Sequence, residues 1–316
     1  MDQRSNISEA DSDNKTIINS THLLAQIFSD YLELNELLRI RSVCKDWNYA
    51  SSEALARLET FQDEPWFLMY GEGSKCSLLS NDEKLYKLNI PEFDGATCVA
   101  SNSGWLLLFR EGSIFFFCPF SRARIDLPNC ALSELMDCSE FVAAFSSAPT
   151  SQDCMVALIA RWHEITLQLH LLRRGDLRWS VYECLCTIGD LSRIKFATYK
   201  EGAFQISDGF YGSVTFDAKT KRWRRHVENS SSIGKYLKCN NIGNNLYFWS
   251  NNLREKLGLE SNVSISTCGT LISQCDGLDI VIQNENIQAA KGSQNRHVKA
   301  VWIQPKFFKI THEHRW

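Results

Sequence analysis

Groups of four short runs of apolar or alternating residues, bounded by Gly, Asn, Asp and Ser, recur along this chain about every 40–50 residues. The period is clearest in Ile194–Tyr199, Ala203–Ser207, Ser213–Asp217 and Arg222–Val227, joined by turns at Glu201-Gly202, Asp208-Gly209 and Lys219-Thr220. The unit before it holds Phe141–Phe145, Met155–Ala160, Glu164–Leu172 and Arg178–Tyr182. The two units bring in their last strands alike, Leu177-Arg178-Trp179 and Lys221-Arg222-Trp223, forty-four residues apart. Gly104, Asp153, Gly202 and Asn244 mark the first turn of successive units, spaced 49, 49 and 42 residues. Short strands with such turns form antiparallel meanders. A four-stranded meander at this period is a β-propeller blade, and each blade must hide a face on its neighbour.

The same reading extends in both directions. Upstream, strands are expected at Trp66–Tyr70, Cys76–Leu79, Lys84–Leu88, Thr97–Ala100, Trp105–Arg110, Ile114–Cys118 and Arg124–Leu127. Downstream, Tyr236–Cys239 and Asn245–Ser250 open a fifth unit, and Val263–Thr267, Thr270–Gln274, Ile280–Gln283 and Val298–Ile303 supply a sixth. Residues 65–309 thus predict a five- or six-bladed propeller, with the strands near Trp66 and Trp302 placed to close its ring. Cys130–Asp137 interrupts the period and reads as a short helix or a loop on one face.

Ahead of Trp66 the period is that of helices, so the fold class is α + all-β. Residues 1–18 are polar and predict a disordered leader, residues 19–61 a three-helix domain, and residues 310–316 a tail. Leu23, Leu24, Ile27, Phe28, Tyr31 and Leu32 lie on one face of a helix. Asn19, Ser20 and Thr21 each qualify as its N-cap, and Asn35 as the cap of a second helix. Leu37, Leu38, Val43, Cys44 and Trp47 form the next apolar side, and Ala54, Leu55 and Leu58 continue the pattern. Gln62-Asp63-Glu64-Pro65 is too short a connector for independent tumbling.

The run Leu23-Leu24-x-x-Ile27-Phe28-Ser29-x-x-Leu32 followed by Leu37-Leu38-Arg39-x-Arg41-Ser42-Val43-Cys44-Lys45-x-Trp47 resembles an F-box. Phe93-Asp94-Gly95-x-x-Cys98-x-Ala100-Ser101-x-x-Gly104-Trp105 and Phe116-x-x-Pro119-Phe120-Ser121-Arg122 resemble the diverged, kelch-like propeller of plant F-box proteins. The resemblance implies a non-catalytic subunit that binds the Skp adaptor, and through it a cullin–RING ubiquitin ligase, while the propeller recruits an unknown target protein. It places Leu23, Leu24, Ile27, Phe28, Leu37, Leu38 and Val43 in the adaptor contact or its support. It places Cys44 and Trp47 in the core of the helical domain. The family commonly opens with Leu-Pro where Asn19-Ser20 stand here, and often carries an acidic residue where His22 stands. That departure keeps open a second reading, a propeller interaction module with a degenerate F-box.

Charge and composition set further bounds. With 34 basic and 37 acidic residues, the formal net charge of -3 gives no general pull toward nucleic acid or an anionic membrane. No apolar run approaches a membrane span, and the first twenty residues lack the apolar core of a secretory signal. The twelve cysteines are scattered rather than clustered, which reads as reduced thiols in the cytoplasm or nucleus. Cys184-x-Cys186 lacks metal-ligand spacing, His312-x-His314 is an isolated pair, and His163 lacks a nucleophile. No phosphate-binding loop or nucleophile elbow occurs, so neither a catalytic residue, a metal site nor a cofactor is expected. Arg222-Trp223-Arg224-Arg225-His226 reads as a solvated outer strand with one Trp turned inward.

Overall fold

The computed structural model of the chain describes residues 21–30, 32, 34–41, 43–58, 65–71, 73–80, 84–131, 141–185, 194–208, 212–227, 257, 263–268, 270–275, 278–282, 286–287, 296–306 and 316. Two helices are bounded within these residues, Leu34–Ile40 and Lys45–Leu58, and the backbone at 21–30 ahead of them is also helical. Three complete helices, as expected, are therefore not delimited. The expected strands at Tyr236–Cys239 and Asn245–Ser250, and most of the Cys130–Asp137 interruption, lie outside the described residues.

The strands begin with β1 (Trp66–Tyr70), β2 (Lys75–Leu79) and β3 (Leu85–Asn89). Next come β4 (Thr97–Asn102), β5 (Trp105–Arg110), β6 (Ser113–Cys118) and β7 (Ala123–Asp126), a consecutive antiparallel meander. A second meander holds β8 (Phe141–Phe145), β9 (Met155–His163), β10 (Thr166–Arg173) and β11 (Ser180–Leu185). A third holds β12 (Phe196–Lys200), β13 (Ala203–Ser207), β14 (Gly212–Asp217) and β15 (Arg222–Val227). The remaining strands are β16 (Val263–Cys268), β17 (Thr270–Cys275), β18 (Leu278–Ile282), β19 (Asn286–Ile287) and β20 (Arg296–Ile303).

Strand composition follows position in the blade. β6 sits between two partners, and its Ile114–Cys118 is buried on both faces. The outer strand β7 alternates, with Ile125 buried between exposed Arg124 and Asp126. Tight hairpins match the turns expected from sequence. Ser103-Gly104, Glu111-Gly112 and Glu201-Gly202 all have positive φ at both positions, the backbone that two-residue hairpins require.

Five or six complete blades are not delimited among the described residues, which leave out the strands expected of the fifth unit. The described strands form four sheets, and no closed ring is delimited among them. β1 and β20 do pair, with Trp66 opposite Ile303 and Phe67 opposite Trp302, so one sheet is built from distant parts of the chain. The expected sixth unit is divided. β16 runs parallel to β20 in that sheet, whereas β17 runs parallel to β4 in another and carries β18. A strand pattern reveals each segment's conformation but not its partner, and the partners here are long-range.

Two apolar cores result. One lies between the second and third meanders, where Leu167, Leu169 and Leu171 meet Phe204, Ile206 and Phe216. The other joins the first two meanders, the composite sheet and the helices in a single cluster that includes Phe28, Leu37, Leu55, Trp66, Trp105, Phe116 and Phe145. The helices are thus part of the propeller's own core.

Candidate functional site

The helical module has two sides. Inward, Ala25 and Phe28 of the leading segment meet Leu37 of the middle helix and Ala50, Ala54 and Leu55 of the long helix, all buried. Trp47 meets Phe28 edge to face at 5.4 Å. Outward, Leu23 and Ile27 are 59% and 45% exposed, and Val43, in the turn after the middle helix, is 61% exposed. Leu23 and Ile27 are one turn apart, so they share a helix face. Leu24 is partly buried against the core, and the side chain of Leu38 lies outside the description.

The expected contact residues therefore separate. Leu23, Ile27 and Val43 are exposed, whereas Phe28 and Leu37 are 6% and 0% exposed and belong to the core. Cys44 departs from expectation. It is exposed and does not hold the helices together by packing, although its carbonyl accepts the Asn48 amide at 2.9 Å. Trp47 is half-buried and packs against the core. Asn19 and Ser20 lie outside the described residues, but His22 is seen. Its Nδ1 lies 2.6 Å from Glu53 Oε1, linking the leading segment to the long helix.

Sequence spacing gave no sign of the residue that mounts this module, Arg41. Its Nη2 donates to the Ser121 carbonyl at 2.8 Å, and its Nη1 donates to the Phe120 carbonyl. Both acceptors lie in the turn between β6 and β7, within the propeller motif Pro119-Phe120-Ser121-Arg122. Burial pushes the Arg41 pKa down, Cys118 opposes that shift, and the Arg122 charge adds to it. Asn48 Nδ2 donates to the Arg41 carbonyl at 3.1 Å, fixing the same segment to the long helix. Two stretches that carry separate family resemblances are thus bound to each other.

This contact defines the ends of the propeller. Within a meander, the first and third turns lie at one end and the second turn at the other. Asn102, closing β4, donates to the Phe145 carbonyl at the end of β8 at 3.1 Å. Arg173, closing β10, donates to the Ala218 carbonyl just after β14 at 2.5 Å. The three meanders therefore point the same way, and the helices sit at the end holding their first and third turns. The opposite end presents the β5–β6 turn and the long β9–β10 hairpin, whose Trp162 and Ile165 are exposed.

The other sequence candidates are placed as follows. Trp223 packs on Phe216 at 5.1 Å, Arg224 pairs with Asp217 at 3.6 Å, and Arg225 donates to the Leu185 carbonyl. Cys184 is buried, and His163 is exposed beside Trp162. Cys186, His312 and His314 lie outside the described residues, among which no group of three or more potential metal ligands occurs. No helix among them is long and apolar enough to cross a membrane.

These features define a class: an F-box-like helical module seated on one end of a propeller-like β body. Residues 21–57 match the F-box-like family model, and residues 76–272 match the KIB1-4 beta-propeller model. The second match covers more than half of the chain, which belongs to the KIB1-4 beta-propeller family. Among its relatives in Arabidopsis thaliana is F-box protein At4g00893, 33% identical over 226 residues, covering 69% of this chain and 54% of that protein. F-box/kelch-repeat protein At1g57790 is 26% identical over 207 residues, covering 64% of this chain and 56% of that one. F-box protein At4g12382 is 31% identical over 114 residues, 35% of this chain and 80% of its own length. The chain spans just over half the length of At4g00893 and At1g57790.

Proposed function

We propose that this chain is the substrate-recognition subunit of a Skp–cullin–F-box ubiquitin ligase. The helical module, residues 19–61, docks the Skp adaptor, and the propeller, residues 65–309, holds a target protein. The observation that carries the reading is the outward side of the module. Leu23, Ile27 and Val43 are exposed while the inward side is committed to the propeller core. Exposed large apolar side chains on an otherwise packed module suit a protein partner. The target end is the one remote from the helices, with Trp162 and Ile165 as its apolar contacts. The subunit itself is non-catalytic. It raises the local concentration of target near the conjugating enzyme, and it works in the cytoplasm or nucleus.

Replacement of Leu-Pro by Asn19-Ser20 favours the rival reading, a propeller interaction module whose F-box no longer docks. A pull-down of purified chain with the Skp adaptor separates the two. Wild type should bind, and Leu23→Asp combined with Ile27→Asp should bind at least tenfold more weakly with an unchanged melting temperature. Absence of binding by the wild-type chain overturns the ligase reading and leaves the interaction module. Leu37→Asp is unsuitable as a control, because burying a carboxylate there would unfold the module.

A further inference from the structure

We propose that Cys98 and Cys268 form a redox-modifiable pair, which a peroxide converts into a disulfide joining β4 to β16. The two sulfurs are 3.4 Å apart although the residues are 170 positions apart in sequence. The Cys268 thiol is directed at Cys98 Sγ, and the Cys98 thiol donates to the Ala100 carbonyl at 3.3 Å. A disulfide bond is about 2.05 Å long, so the sulfurs need to close by little more than about 1 Å.

The location gives the bond a consequence. Cys268 is the last residue of β16, which pairs with β20 through Cys268 opposite Val301. Two residues later the chain pairs with the other sheet, Thr270 opposite Ser101 and Leu271 opposite Asn102. The pair therefore sits where the chain crosses between two six-stranded sheets, and a covalent link there would staple the crossover to an inner strand.

Their environments divide the chemistry. Cys98 is fully buried, and burial together with the neighbouring Cys268 raises its pKa well above the usual thiol value. Cys268 is only partly buried and receives the oxidant. The Cys268 thiolate attacks one peroxide oxygen, the O–O bond breaks, and a sulfenic acid and hydroxide form. Cys98 sulfur then attacks the Cys268 sulfur. The S–S bond forms, the S–O bond breaks, and the Cys98 proton leaves with the departing oxygen as water. In sum, two thiols and one hydrogen peroxide give one disulfide and two waters, the sulfurs supplying the two electrons.

The test is peptide mapping of the full-length wild-type chain after limiting hydrogen peroxide and alkylation of residual thiols. A peptide joining Cys98 to Cys268 should appear, lighter by two hydrogens than the sum of its parts and lost on reduction. It should exceed every other cysteine pairing severalfold. Recovery of both residues as alkylated thiols while other cysteines are oxidised overturns the proposal. So does a Cys268 sulfinate with Cys98 still free. As a second readout, Cys98→Ser should raise dimedone capture at Cys268 severalfold over wild type, because the sulfenic acid has lost its resolving thiol.

Discussion

Arg41 illustrates how much one side chain contributes when its geometry suits its acceptors. A planar guanidinium reaches the two successive carbonyls of Phe120 and Ser121 at once, which a lysine ammonium does not match. We predict that Arg41→Lys costs about 1–3 kcal/mol and speeds hydrogen exchange in the long helix, measured against wild type by mass spectrometry. Unchanged exchange there would remove Arg41 from the role of clamp. His170 makes a different prediction. It is buried, with Nδ1 3.6 Å from Cys130 Sγ and Nε2 3.4 Å from Gln168 Oε1, and burial lowers its pKa. The folded state therefore favours the neutral ring, while the unfolded chain takes up a proton near pH 6.5. Its contribution to stability is complete above about pH 6.5 and is lost as pH falls through the lowered folded value. His170→Gln should flatten the fall in melting temperature between about pH 7.5 and 5.5; an equally steep fall in the variant would assign the loss to other groups.

At the level of elements, the hairpin turns carry the residues most open to improvement. Glu111 and Glu201 hold φ of 49° and 50°, each followed by a glycine of positive φ. Asn tolerates that region better than Glu, and Asn-Gly is the favoured pair for such turns. Because both glutamates are exposed, Glu111→Asn and Glu201→Asn should each raise stability by about 0.5 kcal/mol, read as a higher denaturant midpoint. Elements were also what the sequence showed best. β1, β5, β8, β13 and β15 begin and end where alternation and turn residues put them. Local periodicity and turn chemistry determine such segments, so they are visible in a short window. The splitting of β16 from β17 was not visible, because one residue between two strands says nothing of which sheet receives each. Within the helical module, periodicity marked one apolar face but did not divide it. Leu23 and Ile27 were indistinguishable from Phe28 until the neighbour covering Phe28 was known. Arg41 and Cys268 were hidden for the same reason, their partners lying 79 and 170 residues away.

For the whole molecule, the shared core is the main result. Phe28, Leu37 and Leu55 belong to the cluster that holds Trp66 and Phe116, so the helices and β body should unfold together. We predict a single calorimetric transition for the full chain, and a loss of solubility for a fragment beginning at Pro65, whose helix-covered apolar surface would meet water. Two well-separated transitions would show instead that the module is autonomous.

The pairing of β1 with β20 also sets a schedule for biosynthesis. A chain is made from its N-terminus, and domains generally fold in that order. The helices and β1 leave the ribosome early, but the strand that covers one edge of β1 comes more than two hundred residues later. Throughout that interval β1 presents an open edge beside an incomplete core, a surface that invites pairing with other nascent chains. That sheet is completed only when β20 has been made, so the core to which Val301 and Ile303 contribute closes late. Premature termination upstream of Arg296 would then yield chains in which this edge of β1 stays open, and such chains are natural clients for chaperones.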